Sequence, residues 1–145
     1  MAISTYNSDI IAWANEQTRL LRAGLFSQLD IEHIAEEIED VGKSEKRELA
    51  NRMAVLLAHL LKWQHQPERK GNSWRRTIKE QRNTIALCIK KTPSLKIELN
   101  DKDWWSGVWS DAVAKASEET GMDDFPEVCL WTPNEVLNTA WFPQE

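Results

Sequence analysis

The residues best suited to chemistry lie close together in the stretch "HLLKWQHQPERKGNSWRR", residues 59 to 76. It contains two histidines, His59 and His65, together with two tryptophans and five basic side chains. Histidine can carry a proton near neutral pH, and basic side chains bind phosphate and carboxylate groups. The stretch therefore has three interpretations: an active site, a basic surface for an anionic partner, or the end of a core helix followed by a solvated turn.

His59 is the residue with the clearest potential for acid–base chemistry. On a helix it lies about 80° from Leu49, at the margin of the apolar face, where side chains are half-buried and hydrogen-bonded. A histidine in such a place is usually a structural group. Its functional use would be proton transfer, with Glu37 as its orienter or as a metal ligand and with Lys62 or Arg82 holding an anion. No Ser or Cys stands in a recognisable nucleophile context, so nucleophilic catalysis has no support.

The carboxylate run "EEIED" could serve a metal ion or a network of ion pairs. His33 and Glu37 are one helical turn apart, a spacing that a metal could use. Di-metal bundles, however, project Glu-x-x-His inward from more than one helix, whereas the order in this run is His-x-x-Glu, on one helix, and it faces away from the apolar stripe. We therefore predict a solvated face, with no metal and no cofactor. We also predict that this face meets basic side chains of a neighbouring helix, through Glu36, Glu37 or Asp40 and Arg75, Arg76 or Arg82.

Charge is distributed along the chain in three blocks. Residues 1–42 carry a net −6, residues 43–97 a net +10 and residues 98–145 a net −9, within an overall charge of −5. The basic block could bind nucleic acid or an acidic protein, most directly through residues 69–82. Because acidic segments flank it on both sides, we favour neutralisation within the molecule. No helix-turn-helix, zinc or RNA-recognition pattern supports nucleic-acid binding.

Apolar residues recur at three- and four-residue steps along most of the chain, which predicts helices. Leu49 follows Ile31 by 18 residues, or five full turns, so the apolar stripes before and after Gly42 are in phase. This favours one long helix over about residues 31–65, with two helices joined at Gly42 as the alternative. No segment alternates as a strand would. We predict an all-α fold, a single-domain bundle over residues 1–145 with four to six helices, one of which is the long central helix.

Other residues mark helix ends and the core. We expect caps at Asn7 or Ser8, at Asn72 or Ser73, and at Thr132 with Glu135, and stops at Gly24 and Gly121. Thr92-Pro93 should open a short helix. Five tryptophans should lie in the core: Trp13, Trp63, Trp74, Trp105 and Trp109.

The composition is that of a globular protein without a membrane span. It is 41% hydrophobic and 28% charged, no apolar run approaches the roughly 18 residues of a span, and the first residues lack the pattern of a signal peptide. Cys88 and Cys129 show no metal or CxxC spacing, so we expect reduced, buried thiols in a cytoplasmic protein. Eight tryptophans fit a dense core or a partner surface, and a homo-oligomer is one possible use of such a surface.

An ordered set of motifs resembles the bacterial domain-of-unknown-function family 29. The motifs are "EEIE", a glycine, "HLLKW", Gln-Pro, "SW", a later arginine and "PSL", and the resemblance covers nearly the whole chain. It implies an all-helical fold and a small cytoplasmic bacterial protein, and it implies no reaction. The signature positions are Glu36, Glu37, Gly42, His59, Lys62, Trp63, Gln66, Pro67, Ser73, Trp74 and Arg82. Several are polar and lie off the core face, which favours a shared polar network.

We interpret the chain as a non-catalytic helical module that binds a protein or a nucleic acid. The alternative is a hydrolase or nucleic-acid-acting enzyme that uses His59 with a carboxylate. Arg75 and Arg76 lie at a helix start, where the helix dipole disfavours cations. A bound anion would offset this unfavourable interaction. The candidate residues for either reading are Glu36, Glu37, His59, Lys62, Gln66, Ser73, Arg75, Arg76 and Arg82.

Overall fold

The computed structural model describes the main chain of residues 2–144 and the side chains of residues 5–144. Over this range the chain forms no strand, and its six α-helices are α1 (Ala2–Ser8), α2 (Ile10–Ala23), α3 (Ile31–His65), α4 (Asn72–Lys91), α5 (Lys102–Thr120) and α6 (Pro133–Leu137). Short 3-10 helices lie at Phe26–Gln28, Pro67–Arg69 and Pro93–Asn100. The predictions of an all-α fold and of the number of α-helices are confirmed, and the helix opened by Pro93 has 3-10 geometry. None of the helices in the described part of the chain is long and apolar enough to cross a bilayer.

Contacts between Cα atoms divide the chain into two compact units, Met1–Ser44 and Glu45–Glu145. The first unit holds α1, α2 and the start of α3, and the second holds the remainder of α3 and all later helices. The assignment of residues 1–145 to a single domain stays a prediction.

The long helix is confirmed, and α3 runs through Gly42 without a break. A mid-helix glycine costs only about 1 kcal/mol relative to alanine, and the neighbouring Glu, Lys and Arg residues are good helix formers. The burial along α3 differs from the uniform apolar stripe that we expected. Leu49, Leu56 and Leu60 are fully buried, whereas Ile38 is 67% exposed and Val41 is 66% exposed. The phase of the apolar stripes predicted the helix correctly, but it did not predict which turns of the helix are buried by other elements.

Two glycine stops and one capping box are confirmed. Gly24 and Gly121 end α2 and α5 with φ of 74° and 75°, in the left-handed region that a residue without Cβ adopts at little cost. The Thr132 side chain accepts a hydrogen bond from the Glu135 main chain, while the Glu135 carboxylate accepts from the Thr132 main chain. This reciprocal pair fixes the start of α6.

Two predicted caps are wrong. Asn7 and Ser8 belong to α1, and Asp9 caps α2 by accepting from the main-chain N–H of Ala12 at 3.1 Å. The α4 helix begins at Asn72 after Gly71, without a side-chain cap. Both errors have the same cause, because several neighbouring residues of good capping type compete and only the main-chain path selects among them.

The second unit is built around the later half of α3. Its fully buried residues include Leu49, Met53, Leu56, Leu57, Leu60, Leu61, Ile78, Ile85 and Val136. Of the five tryptophans expected in a core, Trp63 and Trp109 are buried here, Trp74 and Trp105 are half-buried, and Trp13 is buried in the first unit.

Candidate functional site

The first unit contains a polar cluster centred on Asp30, just before α3. The Asp30 carboxylate accepts from the indole Nε1 of Trp13 at 2.9 Å and lies 2.6 Å from Nδ1 of His33. The Gln17 side-chain oxygen accepts from the Asp30 main-chain N–H at 2.9 Å. Burial raises the pKa of Asp30, but the hydrogen bonds from His33 and Trp13 outweigh it and hold the pKa below its ordinary value. The cluster therefore keeps an ionised carboxylate next to a buried tryptophan.

Tyr6 covers the other side of His33. The two rings stack with their centroids 3.8 Å apart, and the Tyr6 hydroxyl donates to the Glu37 carboxylate at 2.8 Å and more weakly to Glu36 at 3.4 Å. The hydrogen bond to Glu37 is the main cause that raises the pKa of Tyr6 to about 12. The solvated-face prediction is therefore wrong for His33 and Glu37, which are half-buried and bonded within the first unit.

This arrangement contains His33 and Glu37, the two residues whose spacing on the helix suggested a metal site. Over the described residues, no group of three or more His, Cys, Asp or Glu side chains is placed to hold an ion. The Glu37 carboxylate has a tyrosine partner rather than the predicted arginine. Asp30 and Tyr6 were both missed, since neither lies in the motif that drew attention to "EEIED".

His59 lies in the second unit beside an ion pair between a buried lysine and a half-exposed glutamate. Its Nδ1 lies 2.9 Å from the Val55 carbonyl, one turn earlier on α3, which fixes the ring through a donated N–H. Lys62 is 6% exposed, and its ammonium donates to the Glu119 carboxylate at 2.5 Å and lies over the Trp74 ring, 5.3 Å from the centroid. The sequence indicated His59 and Lys62 as candidate site residues. Nothing in the sequence indicated Glu119, which lies 57 residues after Lys62.

The His59 ring is held in its neutral form. Burial is the largest influence on its pKa and lowers it; the Val55 carbonyl raises it, Lys62 lowers it and Glu119 raises it, leaving the pKa below the ordinary value. The arrangement can accept a proton at the remaining ring nitrogen. Its nearest charged neighbours, however, are already bonded to each other.

Replacement of His59 by Gln is expected to weaken the pH dependence of stability between about pH 7.5 and about pH 5.5. A folded pKa below the unfolded value of 6.5 means that the unfolded chain takes up the proton first. His59 therefore favours the folded state fully above about pH 6.5, and this contribution is lost as the pH falls through its folded pKa. Urea unfolding of the parent and His59→Gln at three pH values measures the slope. Equal slopes would show that His59 titrates alike in both states.

The corner formed by the end of α3 and the start of α4 joins cations to aromatic rings. The Arg75 guanidinium and the Lys70 ammonium each lie 5.2 Å from the centroid of Trp63. Gln66 is half-buried at the turn, and its main-chain N–H donates to the Lys62 carbonyl at 2.8 Å. Ser73 is exposed inside the first turn of α4. The structure thus places Arg75 against a tryptophan.

Arg82 is a structural clamp. It is 3% exposed, and its guanidinium donates to the Val136 carbonyl at 2.8 Å and the Trp141 carbonyl at 2.7 Å, with a longer contact of 3.5 Å to Thr139. It also lies 5.5 Å from the centroid of Phe142. Burial lowers the pKa of Arg82, yet a guanidinium stays charged at neutral pH. Over the described residues its partners are main-chain carbonyls, where we had predicted a carboxylate.

The exposed side of α4 carries cations around a small apolar depression. We call this surface the α4 basic face: Arg76, Lys79, Asn83, Leu87 and Lys90. All five residues are exposed, and a depression of about 430 Å³ is lined by Asn83, Ala86, Leu87 and Lys90.

Neutralisation within the molecule reaches only part of the basic block. Lys46 pairs with Glu98 at 3.5 Å, and Arg52 pairs with Glu48 at 2.6 Å. Within residues 5–144, no carboxylate forms an ion pair with Arg76, Lys79 or Lys90. For these three side chains the favoured expectation of internal neutralisation is wrong.

Comparison with known proteins gives one match. The family model described as domain of unknown function DUF29 matches residues 5–142. No curated protein and no solved structure matches the chain. The model spans both the Asp30 cluster and the α4 basic face, and it covers the motifs on which the resemblance was based. The chain therefore belongs to the DUF29 family.

Proposed function

We propose that this protein is a cytoplasmic bacterial binding module that docks an acidic, apolar-bearing segment of a protein partner on the α4 basic face. The observation that carries the proposal is a set of exposed cations, without carboxylate partners in the described residues, arranged around an apolar depression. Uncompensated surface charge of one sign raises the association rate of oppositely charged partners and restricts which partners bind.

The helix geometry brings these side chains onto one surface. Arg76, Asn83 and Lys90 are spaced by seven residues, or close to two helical turns, so they form a row along α4. Lys79 borders the same row. Leu87 is 64% exposed beside it and places apolar surface among lysine and asparagine side chains. An amphipathic segment that places an apolar residue in the depression and carboxylates near the row would match both features.

Two features favour a protein over a nucleic acid as the partner. Leu87 would gain nothing from a phosphate backbone but would be removed from water by an apolar side chain. The sequence also lacks any recognised nucleic-acid motif.

Both cysteines, Cys88 and Cys129, are free thiols in the structure. Free thiols are typical of proteins in reducing compartments, which supports the cytoplasmic location in the proposal.

The alternative of an enzyme that uses His59 has weaker support. Its Nδ1 is bonded to a main-chain carbonyl, and the carboxylate of Glu119 is bonded to Lys62. An acid–base group needs a partner that is free to exchange protons with a substrate. We therefore regard the His59 neighbourhood as a structural element of the second unit.

The test is a photo-crosslinking experiment in the native cell followed by a binding measurement. A photoreactive residue at Asn83 should give a discrete adduct, and one at Ser110, exposed on α5, should not. The captured protein should bind the purified chain through an acidic segment. Charge reversal in the double variant Lys79→Glu/Lys90→Glu should weaken this binding by about tenfold, since each lost charge pair contributes up to about 1 kcal/mol.

The matched control is Lys115→Glu, which reverses an exposed charge on α5 and should leave the affinity unchanged. A nuclease-sensitive adduct would show that the partner is a nucleic acid and not a protein. Binding of a duplex oligonucleotide that weakens steeply with salt would show the same. Equal adduct formation at both positions would refute the assignment to α4.

A further inference from the structure

The second unit contains a cleft of about 480 Å³ that none of the sequence motifs indicates. It lies between the residues that lead into α5 and the loop before α6. Three tryptophans line it, Trp105, Trp109 and Trp131, and Leu99, Val128 and Pro133 add apolar surface. A volume of this size falls within the range of about 300–1,000 Å³ that is typical of small-molecule sites.

Two of the three indole N–H groups, those of Trp105 and Trp109, are already bonded within the protein. Nε1 of Trp105 donates to the Leu99 carbonyl at 2.5 Å, and Nε1 of Trp109 donates to the Pro126 carbonyl at 2.9 Å. Trp131 stands edge-on to Trp109, with the centroids 5.4 Å apart and the planes at 87°. Both N–H groups are satisfied within the protein, so a ligand would meet aromatic carbon on these two walls.

The polar groups that line the cleft have both signs. Lys102 and Glu127 are exposed side chains in its lining, and Asn100 and Ser106 add a donor and acceptor each. A quaternary ammonium ion would suit the indoles but not Lys102. An acyl chain would pack against the indoles but would make no hydrogen bond with Lys102 or Glu127. A flat ring that carries both donors and acceptors satisfies all of these groups.

We propose that the aromatic cleft, defined by Trp105, Trp109 and Trp131, binds a small planar heteroaromatic molecule of nucleobase chemistry. The ring packs against the indoles, a ring N–H or amino group donates to Glu127, and a ring acceptor takes a hydrogen bond from Lys102. This site is distinct from the α4 basic face, and the proposal does not depend on the protein partner.

Calorimetric titration with adenosine, cytidine, ribose and choline tests the proposal on the full chain. At least one nucleoside should bind with a saturable signal, whereas ribose and choline should not. Glu127→Gln should weaken the nucleoside by roughly fivefold, since a hydrogen bond to a charged group is replaced by one to a neutral group. Trp105→Ala should weaken it by about tenfold through loss of stacking.

Glu118→Gln is the matched control, because it removes an exposed carboxylate of α5 outside the cleft and should leave nucleoside binding unchanged. Circular dichroism shows whether Trp105→Ala is folded. Glu127→Gln tests the proposal even if Trp105→Ala does not fold. Stronger binding of choline, an unchanged nucleoside affinity in Glu127→Gln, or no saturation by any nucleoside up to millimolar concentration would each overturn the proposal.

Discussion

Replacement of Arg82 by Met is expected to lower the free energy of unfolding by about 3 kcal/mol. The guanidinium is 3% exposed and donates to the carbonyls of Val136 and Trp141 at 2.8 Å and 2.7 Å. Methionine retains much of the aliphatic packing but leaves these buried acceptors without a donor. Urea unfolding monitored by circular dichroism measures the loss, and the melting temperature should fall by roughly 10 °C.

The matched control is Arg76→Met, which removes an exposed arginine from the same helix and should change stability by less than about 0.5 kcal/mol. Amide exchange locates the effect. In Arg82→Met, protection should fall first in residues 136–144, which Arg82 holds to α4. Arg82→Lys should be intermediate, because an ammonium cannot span acceptors as a planar guanidinium does. Equal stability of Arg82→Met and Arg76→Met would disprove the clamp.

Replacement of Trp13 by Ala is expected to open the first unit, with a local loss of about 3 kcal/mol. Trp13 is 4% exposed, donates to Asp30 at 2.9 Å and meets the Tyr6 ring edge-on at a centroid distance of 4.8 Å. A unit of this size buries little apolar surface, so one tryptophan is a large part of its stability. Amide exchange in α2 and in the first turns of α3 should then approach that of an unfolded chain.

Two further variants separate packing from hydrogen bonding in this unit. Trp13→Phe keeps an aromatic ring but loses the bond to Asp30 and the volume of the second indole ring, so the loss of protection should be smaller than in Trp13→Ala. Ile11→Ala changes a side chain of the same helix that is 71% exposed, and it should have no measurable effect. If Trp13→Ala left the exchange of α2 unchanged, the Asp30 cluster would not be what holds the first unit together.

The fold could be predicted well because its signals are local and periodic. The in-phase stripes of Ile31 and Leu49 indicated one helix through Gly42, and the φ of 74° at Gly24 and 75° at Gly121 matches the stops read from glycine. The exposure of Ile38 could not be predicted, because a helical stripe gives a direction around the axis and contains no information on which partner element covers it.

The candidate sites were predicted less well because their contacts join distant residues. Glu119 reaches Lys62 across 57 positions, and Arg82 reaches Trp141 across 59. Periodicity placed Lys62 and Arg82 correctly on α3 and α4 but could not supply these partners. His59 drew attention by its residue type, whereas the histidine with a carboxylate at 2.6 Å is His33, whose partner Asp30 was missed.

Charge patterning was informative about composition and misleading about location. The basic block exists, but its pairing is divided: among the side chains of residues 5–144, Lys46 and Arg52 pair with carboxylates, while Arg76 and Lys79 do not. The net charge summed over residues 43–97 counts these cations alike, whether or not they are paired. Only the direction of each side chain from its helix separates the cations that pair within the fold from those that face solvent.

The clamp at Arg82 also sets an order of events during protein synthesis. Its acceptors lie 54 and 59 residues later in the chain, so the ribosome completes α4 long before a carbonyl is there to receive the guanidinium. At about 5–20 residues per second, Arg82 waits in water for several seconds. Closing a loop of that length must precede the bonds, and we expect it to be a late step. The nascent second unit would then stay open to chaperones and proteases until residue 141 emerges.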